Sequence, residues 1–145
     1  MAIKIFLDSN VLFSIVYSGP KRSRSYLLFE LAKEGKFELY ISELVYRETL
    51  INIRLKKPDQ EPFLSQILTH LKILPDRPLT LPQLEFLHLQ DRLILETAIF
   101  FGMDFFLTGN HRHFGPLYGQ KIKQTRILSP AEFLHQRFGG NNEEA

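Results

Sequence analysis

Short apolar runs rich in branched and aromatic residues alternate along this chain with segments of helical length and period, and that alternation restricts the fold more than any other feature. IKIFLD (3–8), FELYIS (37–42), FFLTG (105–109) and TRILS (125–129) are each bounded by polar or glycine residues, the pattern of strands. The first and third are nearly continuous in hydrophobicity, as expected of central strands covered on both faces. KILPD (72–76) is a candidate fifth strand at an edge. Between these runs lie SRSYLLFELAKEG, ELVYRETLINIRLKK, PFLSQILTHL and the stretch 83–101, all of helical length and period. Alternation of this kind builds right-handed βαβ units. The expected fold is α/β, a three-layer α/β/α sandwich with a central parallel sheet of four or five strands.

At 145 residues the chain suits one core and one domain, spanning 1–138. PAEFLHQRF reads as a last helix beginning near Pro130, and the tail at 139–145 as disordered. The proline-rich stretch 75–82 reads as a loop between helices. The absence of cysteine removes disulfides, thiolate metal sites and cysteine nucleophiles. MAIKIFLDSN reaches a charged Asp8 too soon for a secretory signal or a membrane span, so no membrane association and a cytoplasmic location are expected. Net charge is only +2, far from the footprint of a dedicated nucleic-acid-binding domain. Three basic clusters, KRSR (21–24), RLKK (54–57) and KIK (121–123), are either solvated surface or contacts for a phosphate chain.

In an open parallel sheet the functional crevice lies beyond the carboxyl ends of the strands. Asp8 closes the first strand and is followed by Ser9 and Asn10; Asn110 closes FFLTG and is followed by His111, Arg112 and His113. These two ends are expected to be neighbours. The same residue types also cap helices, so each alone has a purely structural reading. Two acidic residues on helical segments add weight to the functional one. Glu48 shares a line with Leu44, Ile51 and Leu55, which reads as the core-facing stripe, whereas Glu43 aligns with Arg47 and Arg54. Asp91 shares its line with Leu95, Ala98 and Gly102, while Glu96 lines up with Arg92 as an exposed pair does. Carboxylates are seldom buried unless paired or bound to metal; a place at the edge of the surface is the other reading of Glu48 and Asp91. Asp8, Glu48 and Asp91 in one crevice would repel one another by about 4 kcal/mol for a pair ~4 Å apart. A cation removes that conflict, and oxygen-only donors point to Mg²⁺ or Mn²⁺ rather than zinc. The histidines at 70, 88 and 135 show no metal-ligand spacing, and those at 111 and 113 are either near a substrate or simply solvated.

A strand ending in Asp8, then IS-x-x-x-x-x-E with Ser42 and Glu48, then D-R-x-I-L-x-x-A with Asp91 and Ala98, then an apolar strand ending in Thr108, Gly109 and Asn110 resembles the PIN domain, from Ile3 to about Leu134. The resemblance implies a parallel sheet flanked by helices and a metal-dependent endoribonuclease, typically the toxin of a bacterial toxin–antitoxin pair. It implies Asp8, Glu48, Asp91 and Asn110 as the catalytic set, with Asp8 and Asp91 the principal ligands of Mg²⁺ or Mn²⁺ and Glu48 completing the shell or orienting a water. Ser9, Asn10 and Thr108 would aim the carboxylates by hydrogen bonds, and Arg112 would hold a flanking RNA phosphate. An antitoxin protein and a homodimer are the implied partners besides RNA. Asn110 departs from the family's commoner fourth aspartate, and Asp104, six residues upstream at the other end of a strand, cannot replace it. The rival readings are a PIN-like module that binds RNA or protein without cutting, a phosphotransferase of another α/β family, and a structural domain with capped helices.

Overall fold

The computed structural model describes residues 2–20 and 23–139. The tail expected to be disordered falls outside them apart from Gly139, as do Lys21 and Arg22 of the first basic cluster. The elements run β1 (Lys4–Leu7), α1 (Ser9–Ser18), α2 (Arg24–Lys33), β2 (Glu38–Ser42), α3 (Glu43–Lys56), α4 (Glu61–Leu68) and β3 (Lys72–Leu74). They continue with α5 (Leu89–Phe100), β4 (Phe105–Leu107), α6 (His111–Phe114), β5 (Lys121–Ile122), β6 (Thr125–Leu128) and α7 (Pro130–Phe138).

The six strands form one sheet in the order β3-β2-β1-β4-β6-β5. All neighbours are parallel except β5 with β6. Ile5, Phe6 and Leu7 are each fully buried, and because successive strand side chains point to opposite faces, β1 is covered on both. The chain leaves β1 for β2 and the β3 edge, then crosses back to place β4 on the other side of β1. A switch point therefore lies between β1 and β4, where an open α/β sheet leaves a crevice at its carboxyl end. The Leu7–Leu107 register sets Asp8 beside Thr108 at that point.

Four expectations change. The sheet has six strands rather than four or five, and the added β5 makes it mixed. The β5–β6 hairpin turns through Lys123 at φ 55, so the turn lacks the glycine that would have announced it. α1 is not among the helical segments read from sequence; with SNVLFSIVYS it has few polar residues to reveal a period, and Asp8 occupies its N-cap. In α3 the buried residues are Leu44, Val45, Thr49 and Ile53, so Leu44 of the expected stripe faces the core, but farther along Ile51 and Leu55 are 58% and 75% exposed and Glu48 rides half-buried at the rim of the core. Glu96 is 5% exposed rather than a surface partner of Arg92, because α5 is buried at every residue from Ile94 to Ile99.

Candidate active site

Asp8 is the hub. It is 2% exposed, and as the N-cap of α1 its Oδ1 accepts the backbone N–H of Ser9 at 2.8 Å. Its Oδ2 accepts the Thr108 hydroxyl at 2.7 Å and the Asn10 amide at 2.9 Å. Asn10 in turn accepts the Gly109 N–H at 2.7 Å and donates to the Thr108 hydroxyl at 3.2 Å. Thr108 also accepts the Asn110 N–H at 3.0 Å, so the hydroxyl is saturated and its orientation is fixed. The capping reading and the functional reading of D-S-N thus coincide: one backbone donor caps the helix, while two side chains aim the carboxylate.

Glu48 joins through Ser9, whose hydroxyl donates to Oε1 at 2.8 Å. Asp91, in the first turn of α5, joins through His113, whose Nδ1 lies 2.7 Å from Oδ2. Asn110 caps α6, accepting the His113 N–H at 3.2 Å, and its amide nitrogen lies 3.1 Å from His113 Nδ1. Burial pushes the Asp8 carboxyl up to about 6; the Thr108 and Ser9 hydrogen bonds oppose this, and the charges of Asp91 and Glu48 raise it further. The Glu48 carboxyl is raised too, by burial first and by Asp91, against the pull of Ser9. Three carboxylates are therefore within electrostatic reach of each other at the switch point.

Asp8, Ser9, Asn10, Glu48, Asp91, Thr108 and Asn110 thus form one connected cluster. Arg112 is exposed on α6 at its rim. Sequence reasoning did not single out His113 as a partner of Asp91, or His88, whose ring stands edge-on to His113 at 5.1 Å. It also missed Tyr118, whose hydroxyl donates to the Thr108 carbonyl at 2.6 Å while His111 stacks on its ring at 4.5 Å. The only signal for these was the H-x-H after T-G-N, since tertiary packing alone brings 113 to 88 and 91.

The donor set is all oxygen and strongly acidic, which fits a hard divalent cation by charge and chemistry. Among the described residues, however, no three acidic or histidine side chains stand close enough to grip one ion together. That geometry fits an ion held by one or two carboxylates and otherwise by water, the usual habit of Mg²⁺.

An open α/β domain with a cluster of acids at its switch point defines a class of proteins whose ligand site lies at the carboxyl ends of the strands. The PIN domain family profile matches residues 4–112, and the chain belongs to that family. PIN domains are generally nucleases and typically use divalent metal ions. No curated protein sequence matches the chain. Among solved structures the fold is similar to a chain in the crystal structure of VapBC2 from Rickettsia felis bound to a DNA fragment from their promoter. That match has a TM-score of 0.63 at 19% identity and covers 88% of this chain and 98% of the other.

Proposed function

We propose that the protein is a Mg²⁺- or Mn²⁺-dependent endoribonuclease that hydrolyses single-stranded RNA and serves as the toxin of a toxin–antitoxin pair. The observation that carries this reading is Asp8, a buried carboxyl pushed up to about 6 with Glu48 and Asp91 close enough to raise it. So costly a grouping has a physical rationale if a cation completes it. The similarity to a chain of a VapBC complex supports the toxin assignment and an antitoxin partner.

Asp8 and Asp91 would hold the ion, with Glu48 contributing directly or through a water. A bound Mg²⁺ or Mn²⁺ supplies polarisation of the phosphoryl oxygen and lowers the pKa of coordinated water. Ser9, Asn10 and Thr108 keep the Asp8 and Glu48 carboxylates in place, so little reorganisation is needed when RNA arrives. The raised Glu48 carboxylate is suited to take a proton from the attacking water. His113 fixes Asp91, and exposed Arg112 offers a guanidinium to a neighbouring phosphate.

The test is incubation of single-stranded RNA with the protein in Mn²⁺, Mg²⁺ or EDTA, alongside Asp8→Asn and Asp91→Asn. Cleavage that needs the metal and disappears in both variants is expected. A folded, metal-binding protein that leaves RNA intact would instead support the second reading, a PIN-like binding module. That reading is favoured by one observation: the Asn110 side chain is already engaged with His113 and brings no fourth negative charge.

A further inference from the structure

We infer that the pole of the sheet opposite the acidic crevice is a binding site for phosphate chains. There the amino ends of β1 and β4 meet the β5–β6 hairpin and the end of α7 around a cleft of about 440 Å³. Lys4, Lys121, Arg126 and Arg137 line it, and among the described residues Asp104 is the one carboxylate there. The sheet builds this row directly: Phe105 pairs with Arg126, which in turn pairs with Lys121, and Ile5, next to Lys4, pairs with Phe105.

This cluster gathers four cations without an ion-paired counter-charge around one cleft. Among the described residues Arg47 pairs with Asp76, Arg54 with Glu61 and Lys72 with Glu38, but none of the four cleft cations has an ion pair. Asp104 forms no ion pair with any of them; its Oδ2 accepts the backbone N–H of Lys4 at 2.8 Å, and its charge offsets one of the four. The two guanidinium groups are instead held by neutral partners. Arg126 donates to the Gly119 carbonyl at 2.7 Å, and Arg137 lies 5.2 Å from the centre of the Phe105 ring. Such contacts orient a charge without cancelling it.

Four like charges around one cleft repel until an anion enters, and the excess over Asp104 calls for a ligand with several negative charges in a row. Two forked guanidiniums with two ammoniums match the oxygens of successive phosphates, whether in a nucleoside triphosphate or along a nucleic-acid strand. The volume admits a ligand of that size.

The experiment is calorimetric titration of the full chain, in EDTA, with inorganic triphosphate, a nucleoside triphosphate and a short single-stranded RNA. Lys121→Glu and Arg137→Glu are compared with Lys36→Glu, which alters net charge equally on an exposed turn. At least one probe should bind, about tenfold more weakly in Lys121→Glu and Arg137→Glu and unchanged in the control. Competition between RNA and triphosphate assigns the site to a strand backbone; triphosphate binding without competition assigns it to a free polyphosphate. No binding of any probe at millimolar concentration, or an equal loss in Lys36→Glu, would overturn the inference. Circular dichroism of each variant separates lost binding from lost folding, and Lys121→Glu, a change of one exposed side chain, keeps the test open if Arg137→Glu unfolds.

Discussion

At the scale of single residues, Asp8 governs both stability and chemistry. Its carboxyl is raised from 3.8 to about 6, so between those values the folded protein keeps a proton that the unfolded chain has released. Folding then takes up a proton, and the Asp8 contribution to stability falls as pH rises through that window, by about 2–3 kcal/mol in all. Thermal melts in EDTA from pH 4 to 7 should show wild type losing stability relative to Asp8→Asn across the window. Parallel pH profiles would mean that Asp8 is not strained when ionised. Asn110 offers the complementary test. A single ring nitrogen of His113 cannot both donate to Asp91 and accept from the Asn110 amide, so one of those contacts is satisfied at the expense of the other. Asn110→Asp substitutes an acceptor there and adds a carboxylate, and Mn²⁺ affinity should rise roughly tenfold by calorimetry. An unchanged affinity would remove position 110 from the border of the metal site.

At the scale of elements, strand ends double as helix caps. Asp8 caps α1, Ser42 caps α3 and Ser129 caps α7 in a capping box with Glu132, so each strand passes into a helix with its first N–H groups satisfied. This economy is why polar residues at strand ends were ambiguous in the sequence: Asp8 caps and clusters with the acids, whereas Ser42 only caps. The β5–β6 hairpin is the element under strain. Lys123 at φ 55 sits in a region that costs a side-chain-bearing residue about 1 kcal/mol or more. Lys123→Gly removes that cost but loses chain entropy, for a net gain of roughly 0.5–1 kcal/mol. A small rise in melting temperature is the expected outcome, and a fall would show that the lysine side chain holds the turn.

At the scale of the molecule, the thirteen phenylalanines build the core more than any interface. Only Phe86 and Phe100 are largely exposed; the others are buried or packed against the core. The apolar surface offered to a second copy lies elsewhere, on Ile51 and Leu55 of α3 with Tyr17 of α1 nearby in the packed α1–α3 pair. Sedimentation should therefore detect a dimer that Leu55→Glu shifts to monomer with the fold unchanged. A wild-type monomer at high concentration would leave those residues without that role. Among the described residues no helix is long and apolar enough to cross a membrane.

The order of strands and helices, the α/β class and the acids Asp8, Glu48 and Asp91 were legible in the linear chain, because hydrophobic period and residue type are local properties. Glu48 lies in the cluster, but not on the face expected of it: Leu44 of the expected stripe is buried with Val45, Thr49 and Ile53, whereas Ile51 and Leu55 farther along α3 face solvent. Which residues touch depended on register and packing, which no local pattern encodes. Only the β1–β4 register brings the Thr108 hydroxyl to Asp8 across one hundred residues of chain. Only the packing of α6 near α5 brings His113 to Asp91, and only the β5–β6 hairpin gathers the basic pole. Sequence determined the kinds of groups available; the tertiary structure decided their partners, because the charge and hydrogen-bond energies that define this site fall steeply with distances set by the fold.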